Sequence, residues 1–155
     1  MKFDLEKIVI KSPGEHSIDG VFPDMEIQFI HQKDLDYTNE LNKYKKKPTV
    51  NEKLKITLPL NQASSFTGNG FLDILSSVYK TTVSNTTTGI RLDLTSFNLV
   101  ADKKFFFYYG SETVNPCNEN TIHIVYSSAL PLKTSTYGFY RSSVYSQLYN
   151  QAENT

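Results

Sequence analysis

Apolar and polar positions alternate along much of this chain, and the alternation changes phase in informative places. Over residues 3–10, Phe3 and Leu5 hold one parity while Ile8 and Ile10 hold the other. A strand that switches parity in this way is either bulged or buried on both faces. Ser12-Pro13-Gly14 ends it, and Asp19-Gly20 is a hairpin-type turn signal. A second strand is predicted over 25–31, with Met25, Ile27 and Phe29 on one face and Glu26, Gln28 and Ile30 on the other. Leu54, Ile56, Leu58 and Leu60 then alternate with Lys55, Thr57 and Pro59, the pattern of a half-buried strand; Pro59 points to an edge or a strand end. Residues 105–109 form an aromatic strand, and in 121–126 Ile122, Ile124 and Tyr126 lie opposite Thr121, His123 and Val125.

Helical spacing occurs twice. Phe71, Ile74, Leu75 and Val78 fall at i, i+3, i+4 and i+7 in a helix predicted over 70–80, with Asn69 as a candidate cap. Tyr140, Val144 and Leu148 suggest a second helix in the tail. Residues 32–51, 61–69 and 81–89 are polar and read as surface excursions, and 90–102 as short extended pieces. No internal repeat is evident. The chain is therefore expected to be a single, mainly β domain.

Composition narrows this further. At 155 residues the chain is long enough to bury a core of its own, and ten Phe and ten Tyr supply large apolar area. Sixteen basic residues balance sixteen acidic ones, so no global field recruits nucleic acid, and no nucleic-acid partner is expected. A single cysteine, Cys117, excludes a disulfide within the chain. No apolar run is long enough for a membrane-spanning helix. MKFDLEKIVIK does not read as a signal or transit peptide, while a leader removed upstream stays open. One sequon, Asn85-Thr86-Thr87, matters only in a secreted protein. Phosphate loops, cysteine pairs and nucleophile elbows do not occur.

The stretch FDLEKIVIKSPGEHSIDGVFPDMEIQFIH, residues 3–31, resembles the metal-binding heart of the α-class carbonic anhydrases. That family runs aromatic-x-Leu-x-Gln-apolar-His-Phe-His, then Ser-Glu-His-Thr-apolar-Asp/Asn-Gly, then Glu-apolar-His-apolar-apolar-His. Gly14-Glu15-His16-Ser17-Ile18-Asp19-Gly20 matches the middle and Glu26-Ile27-Gln28-Phe29-Ile30-His31 the end. Downstream, the run from Phe107 through Tyr109-Gly110-Ser111-Glu112-Thr113 to Pro116-Cys117-Asn118-Glu119 is similar to the family's Tyr-x-Gly-Ser-Leu-Thr-Thr-Pro-Pro-Cys-x-Glu segment. Together these carry the resemblance over 3–143, with 144–155 left as a helical, polar tail.

The resemblance implies a mixed, largely antiparallel sheet with a few peripheral helices. It also implies that the N-terminal part of the family fold is missing, supplied by another polypeptide, or encoded separately. The family's three zinc histidines fall on Val9, Lys11 and Gln28. Thr113 matches the Thr that orients zinc-bound hydroxide, Glu15 the Glu that accepts its hydrogen bond, and Glu26 a carboxylate that steadies a zinc histidine. Glu112 replaces the Leu of the apolar pocket wall, Val114 the second Thr, Asn115 the first Pro and His123 the Trp; Lys7 stands at a Gln position.

Zinc is not expected on such a donor set. Lys11 is expected to neutralise Glu26 or Glu112; a relocated metal site from His123, Glu112 and Glu26 is a separate reading. His16 and His31 fall on structural positions, where buried hydrogen bonds are expected. Cys117 matches a family cysteine whose disulfide partner this chain lacks, leaving an idle thiol or a bond to another chain. The expected function is a non-catalytic structural or interaction subunit of a larger assembly. The alternatives are a binding module, with Lys43, Lys45, Lys46 and Lys47 offered to a protein or sulfated glycan, and a residual zinc enzyme. The compartment is not written in the sequence.

Overall fold

The computed structural model describes residues 2–34, 52–65, 72–73 and 104–152. In order these form β1 (Phe3–Lys11), β2 (Met25–Lys33), β3 (Lys53–Gln62), β4 (Phe105–Gly110), β5 (Thr121–Tyr126), β6 (Leu130–Leu132) and the helix α1 (Thr134–Ala152). Of the helix predicted over 70–80, Leu72 and Asp73 are described, and both are helical. The remainder of that helix, the lysines Lys43 to Lys47, the sequon at Asn85 and the pieces predicted over 90–102 lie outside the described residues.

All six strands join one mixed sheet in the order β1-β2-β3-β5-β4, with β6 added beside β3. The β1–β2, β2–β3 and β4–β5 pairs are antiparallel; β3 runs parallel to β5 and β6. The parity switch in β1 is a bulge: the register slips between Leu5 and Lys7. This returns Lys7, Val9 and Lys11 to one face while Leu5 keeps the other. The turn at Asp19-Gly20 closes an Ile18–Val21 bridge, with φ of 52° and 78°. Positive φ at both central positions is what a tight turn of this kind requires, and Asp and Gly tolerate it best.

Pro59 is not at an edge. It lies buried inside β3, opposite Glu26 of β2. On the other side of β3, pairing to β5 ends at Thr57 and pairing to β6 begins at Leu60. Pro59 occupies the gap between two neighbours, where a missing N–H costs no ladder bond. The expectation that β3 is half-buried is also corrected, because Lys55 and Thr57 are as buried as Leu58 and Leu60.

The sheet has two different faces. One carries Met25, Ile27 and Phe29 of β2, Leu58 and Leu60 of β3, and Leu132 of β6, which pack with Leu72 and with Tyr140 of α1. The helix begins at Thr134, earlier than the tail spacing suggested, and continues across residue 144. Tyr140 reaches Leu72 directly, donating from its phenol to the Leu72 carbonyl at 3.1 Å. Thr136 donates to Asp73 at 2.9 Å. The opposite face is buried too, but polar, and it holds the residues that the sequence singles out.

Candidate functional site

Register alone gathers the site. Val9 pairs with Gln28, and Gln28 with Thr57; Lys11 pairs with Glu26. Lys55 pairs with Ile30 on one side and His123 on the other, and His123 with Tyr108. Paired residues share a face, so Val9, Lys11, Gln28, Glu26, Lys55, Thr57, His123 and Tyr108 all project together. The turn after β1 brings Glu15 and His16 over this face, and the loop after β4 brings Glu112 and Thr113.

Gly14 sets the approach of the first loop. Its N–H donates to the Pro23 carbonyl at 3.0 Å. A Cβ here would lie 2.5 Å from Pro23 Cγ and 2.8 Å from Glu26 Cγ. Only glycine lets the backbone pass so close to Glu26.

Three carboxylates organise the polar face, each with its own cation or donor set. Glu15 accepts from Thr113 Oγ1 at 2.9 Å and from Gln28 Nε2 at 3.1 Å, and pairs with Lys11 Nζ at 2.9 Å. Glu26 is fully buried; it accepts from the His16 backbone N–H at 2.6 Å, from His16 Nδ1 at 3.0 Å and from Gln28 Nε2 at 3.2 Å. Glu112 accepts from Lys53 Nζ at 3.1 Å and Asn118 Nδ2 at 3.2 Å. Burial pushes each carboxyl up, but these donors outweigh it and hold all three below the ordinary Glu value.

The expected partners of Lys11 are thus corrected. Lys11 pairs with Glu15, four residues on, because the Ser12-Pro13-Gly14 turn folds Glu15 back over the end of β1. Glu26 is occupied by His16 and Gln28, and Glu112 by Lys53. Nor are His123, Glu112 and Glu26 drawn together: among the described residues no three His, Cys, Asp or Glu side chains are grouped to hold a metal. The Glu15–Thr113 hydrogen bond implied by the motif is present.

A chain of rings crosses the face. His16 Nε2 lies 2.9 Å from the Tyr108 hydroxyl. The tautomer that directs Nδ1–H at Glu26 accepts from the Tyr108 hydroxyl through Nε2. Tyr108 stacks on His123 at 4.5 Å between centroids and 3° between planes. His123 is 1% exposed and donates from Nε2 to the Ser111 carbonyl at 3.1 Å. Burial, and then the nearby Lys55, lower its pKa, so the ring stays neutral. Its Nδ1 is an unpartnered acceptor, as are the buried hydroxyl oxygens of Thr57 and Thr121. His31, by contrast, faces the backbone, with Nδ1 at 3.2 Å from the Phe29 carbonyl and 3.3 Å from that of Leu54.

Lys55 is the residue that strand alternation misplaces. It is 2% exposed and makes no ion pair among the described residues, and burial lowers its pKa despite the fields of Glu15 and Glu112. Strand periodicity assigns it to solvent; only its pairing with His123, itself a site residue, shows otherwise. Thr113 and Val114 are exposed at the rim, Asn115 precedes Pro116, and Cys117 is an exposed free thiol at φ 57°.

A mixed sheet that carries a Glu-His turn, a Gly-Ser-x-Thr loop and a polar cluster on the face between them defines the α-carbonic-anhydrase class of architecture. The sequence model for eukaryotic-type carbonic anhydrases matches residues 9–154, and the chain belongs to that family. Its fold is similar to the fungal α-carbonic anhydrase of Aspergillus oryzae, with a TM-score of 0.68 and 20% identity over 90% of this chain and 54% of that one. It is also similar to the α-carbonic anhydrase of Thermovibrio ammonificans in complex with sulfanilamide, with a TM-score of 0.70 and 18% identity over 90% and 54% of the two chains. Dioscorin complexed with ascorbate gives 0.62 and 21% over 86% and 49%. The chain spans about half the length of these solved structures. No curated protein matches it significantly. No helix among the described residues is long and apolar enough to cross a membrane.

Proposed function

We propose that this chain is a non-catalytic member of its family, a structural or interaction subunit built on a carbonic anhydrase scaffold. The observation that carries the reading is the donor set where the family places its zinc histidines. Val9 has no donor atom. Lys11 would have to lose its proton, and its ammonium is engaged by Glu15 at 2.9 Å. Gln28 turns its amide nitrogen to Glu15 and Glu26. Zinc sites are made from imidazole, thiolate and carboxylate, with one position left open for water. Bound zinc would activate that water as a nucleophile; these three residues do not fit the ion.

What stands there instead resembles a metal centre in charge alone. The ammonium of Lys11, the amide of Gln28 and the imidazole of His16 supply the donors that bind Glu15 and Glu26 together. The site reads as a polar brace. The interaction half of the proposal draws on the sheet, whose β4 strand is an aromatic edge among the described residues.

The test is metal content together with carbon dioxide hydration. The purified chain, exposed to zinc and dialysed, is expected to retain none and to hydrate no faster than buffer. Stoichiometric zinc with hydration would sink the proposal. A Val9→His/Lys11→His/Gln28→His variant is expected to acquire zinc, which would verify that the three positions converge as assigned.

A further inference from the structure

We propose that β4 is a homotypic interface: two copies of this chain pair their β4 strands antiparallel about a two-fold axis and fuse their sheets. The inference deepens the reading above and rests on its interaction half.

Among the described residues, β4 pairs only with β5 and ends the sheet on that side. Alternate N–H and C=O groups of an edge strand point outward and seek another strand. Natural edges are protected by charge, proline or a bulge. The other edge shows this protection. β1 carries Asp4, Glu6, Lys7 and Lys11, and its register breaks between Leu5 and Lys7. β4 has no such defence: it reads FFFYYG, and its register against β5 is unbroken. Its five aromatic residues are between 39% and 70% exposed.

The occupant follows from symmetry and area. About a two-fold axis the strand meets itself, residue i facing residue j and j facing i, so a strand of one charge sign would repel its copy. β4 carries no charge, and its rings face both ways. Phe105, Phe107 and Tyr109 share one face, with Phe107 and Tyr109 already in edge contact at 5.3 Å, while Phe106 and Tyr108 share the other. Aromatic cross-strand pairs would therefore form on both faces. An aromatic side chain buries ~150–250 Å². With about half of each ring exposed, five give up to about 500 Å² per copy, which reaches the ~1,000 Å² total that is the lower bound for a specific interface.

Sedimentation velocity on the full chain across a concentration series tests this. The expected result is a monomer–dimer equilibrium, with slower hydrogen exchange at alternate β4 amides in the dimer. Phe107→Lys should weaken dimerisation about tenfold or more and abolish that protection. Tyr109→Lys, at a more exposed position, serves if the first variant does not fold, as judged by circular dichroism. A wild-type chain that stays monomeric, open-ended aggregation, or a dimer indifferent to both charges would overturn the proposal. None of these outcomes bears on zinc content, so a zinc-free monomer would remove the β4 interface and leave the non-catalytic reading intact.

Discussion

Lys55 shows most sharply what the polar face costs. It is 2% exposed, without an ion pair among the described residues, and burial lowers its pKa. The unfolded chain binds that proton more tightly than the folded one. The cost is therefore fully present below the folded pKa and fades as pH rises toward the ordinary lysine value. Lys55→Met, which keeps length and loses charge, is expected to stabilise the fold by on the order of 1 kcal/mol at neutral pH. Urea denaturation in neutral and in alkaline buffer checks it; the gain should shrink in the alkaline series, and a loss at neutral pH would refute the argument. The same residue marks the limit of sequence reading. Glu15 and Thr113 were legible as partners because both sit in short motifs with fixed roles. Lys55 was not, because alternation with leucine says only that two faces differ, and here both are buried. Lys11 was read as a cation needing a carboxylate, which holds, but the turn that brings Glu15 back to it depends on backbone path and not on residue type.

Among elements, α1 is where one contact joins two parts of the core. Its apolar stripe is weak, since Ser and Thr interrupt the apolar positions, and the sequence offered only Tyr140, Val144 and Leu148 as a face. The structure shows what Tyr140 does: its ring is buried against the sheet, and its hydroxyl donates to the Leu72 carbonyl at 3.1 Å. Burial raises the phenol pKa well above its ordinary value, so it remains a donor throughout the usual range. Tyr140→Phe keeps the ring and orphans a buried carbonyl, at a cost of about 1–2 kcal/mol. Equilibrium unfolding would show it, and a neutral result would mean that water satisfies Leu72. The strands were easier to read than the helix. The parity switch in β1 did mark a bulge, and β2 and β5 fall where period-2 patterns put them. Pro59 misled because proline is excluded from strands with two continuous neighbours, and a strand whose neighbour changes midway is not visible in a local pattern.

At the scale of the molecule, the acidic limb of stability is concentrated in one place. The chain is formally neutral at pH 7, with 16 basic and 16 acidic residues, so no large net charge strains the native state there. Glu15, Glu26 and Glu112 all lie on the polar face with their pKa values lowered. For such groups the native state binds protons less readily than the unfolded chain. Their stabilisation is present above the ordinary Glu value and is lost as pH falls through the folded values. The fold should therefore weaken from just below pH 4.5, the ordinary value, downward. Glu26 is the decisive member, since it is fully buried and accepts three hydrogen bonds through His16 and Gln28. Glu26→Gln removes the charge while keeping the shape, and weakening the charge-assisted hydrogen bonds from His16 and Gln28 costs about 1.5–3 kcal/mol. That difference should be full at neutral pH and narrow steadily below pH 4.5, as the wild-type carboxyl takes up its proton and comes to match the amide. Paired denaturation curves across that range decide it. A wild-type advantage that persists undiminished into strong acid would mean that shape, not charge, makes Glu26 necessary, and that the polar face braces the sheet through hydrogen bonds alone.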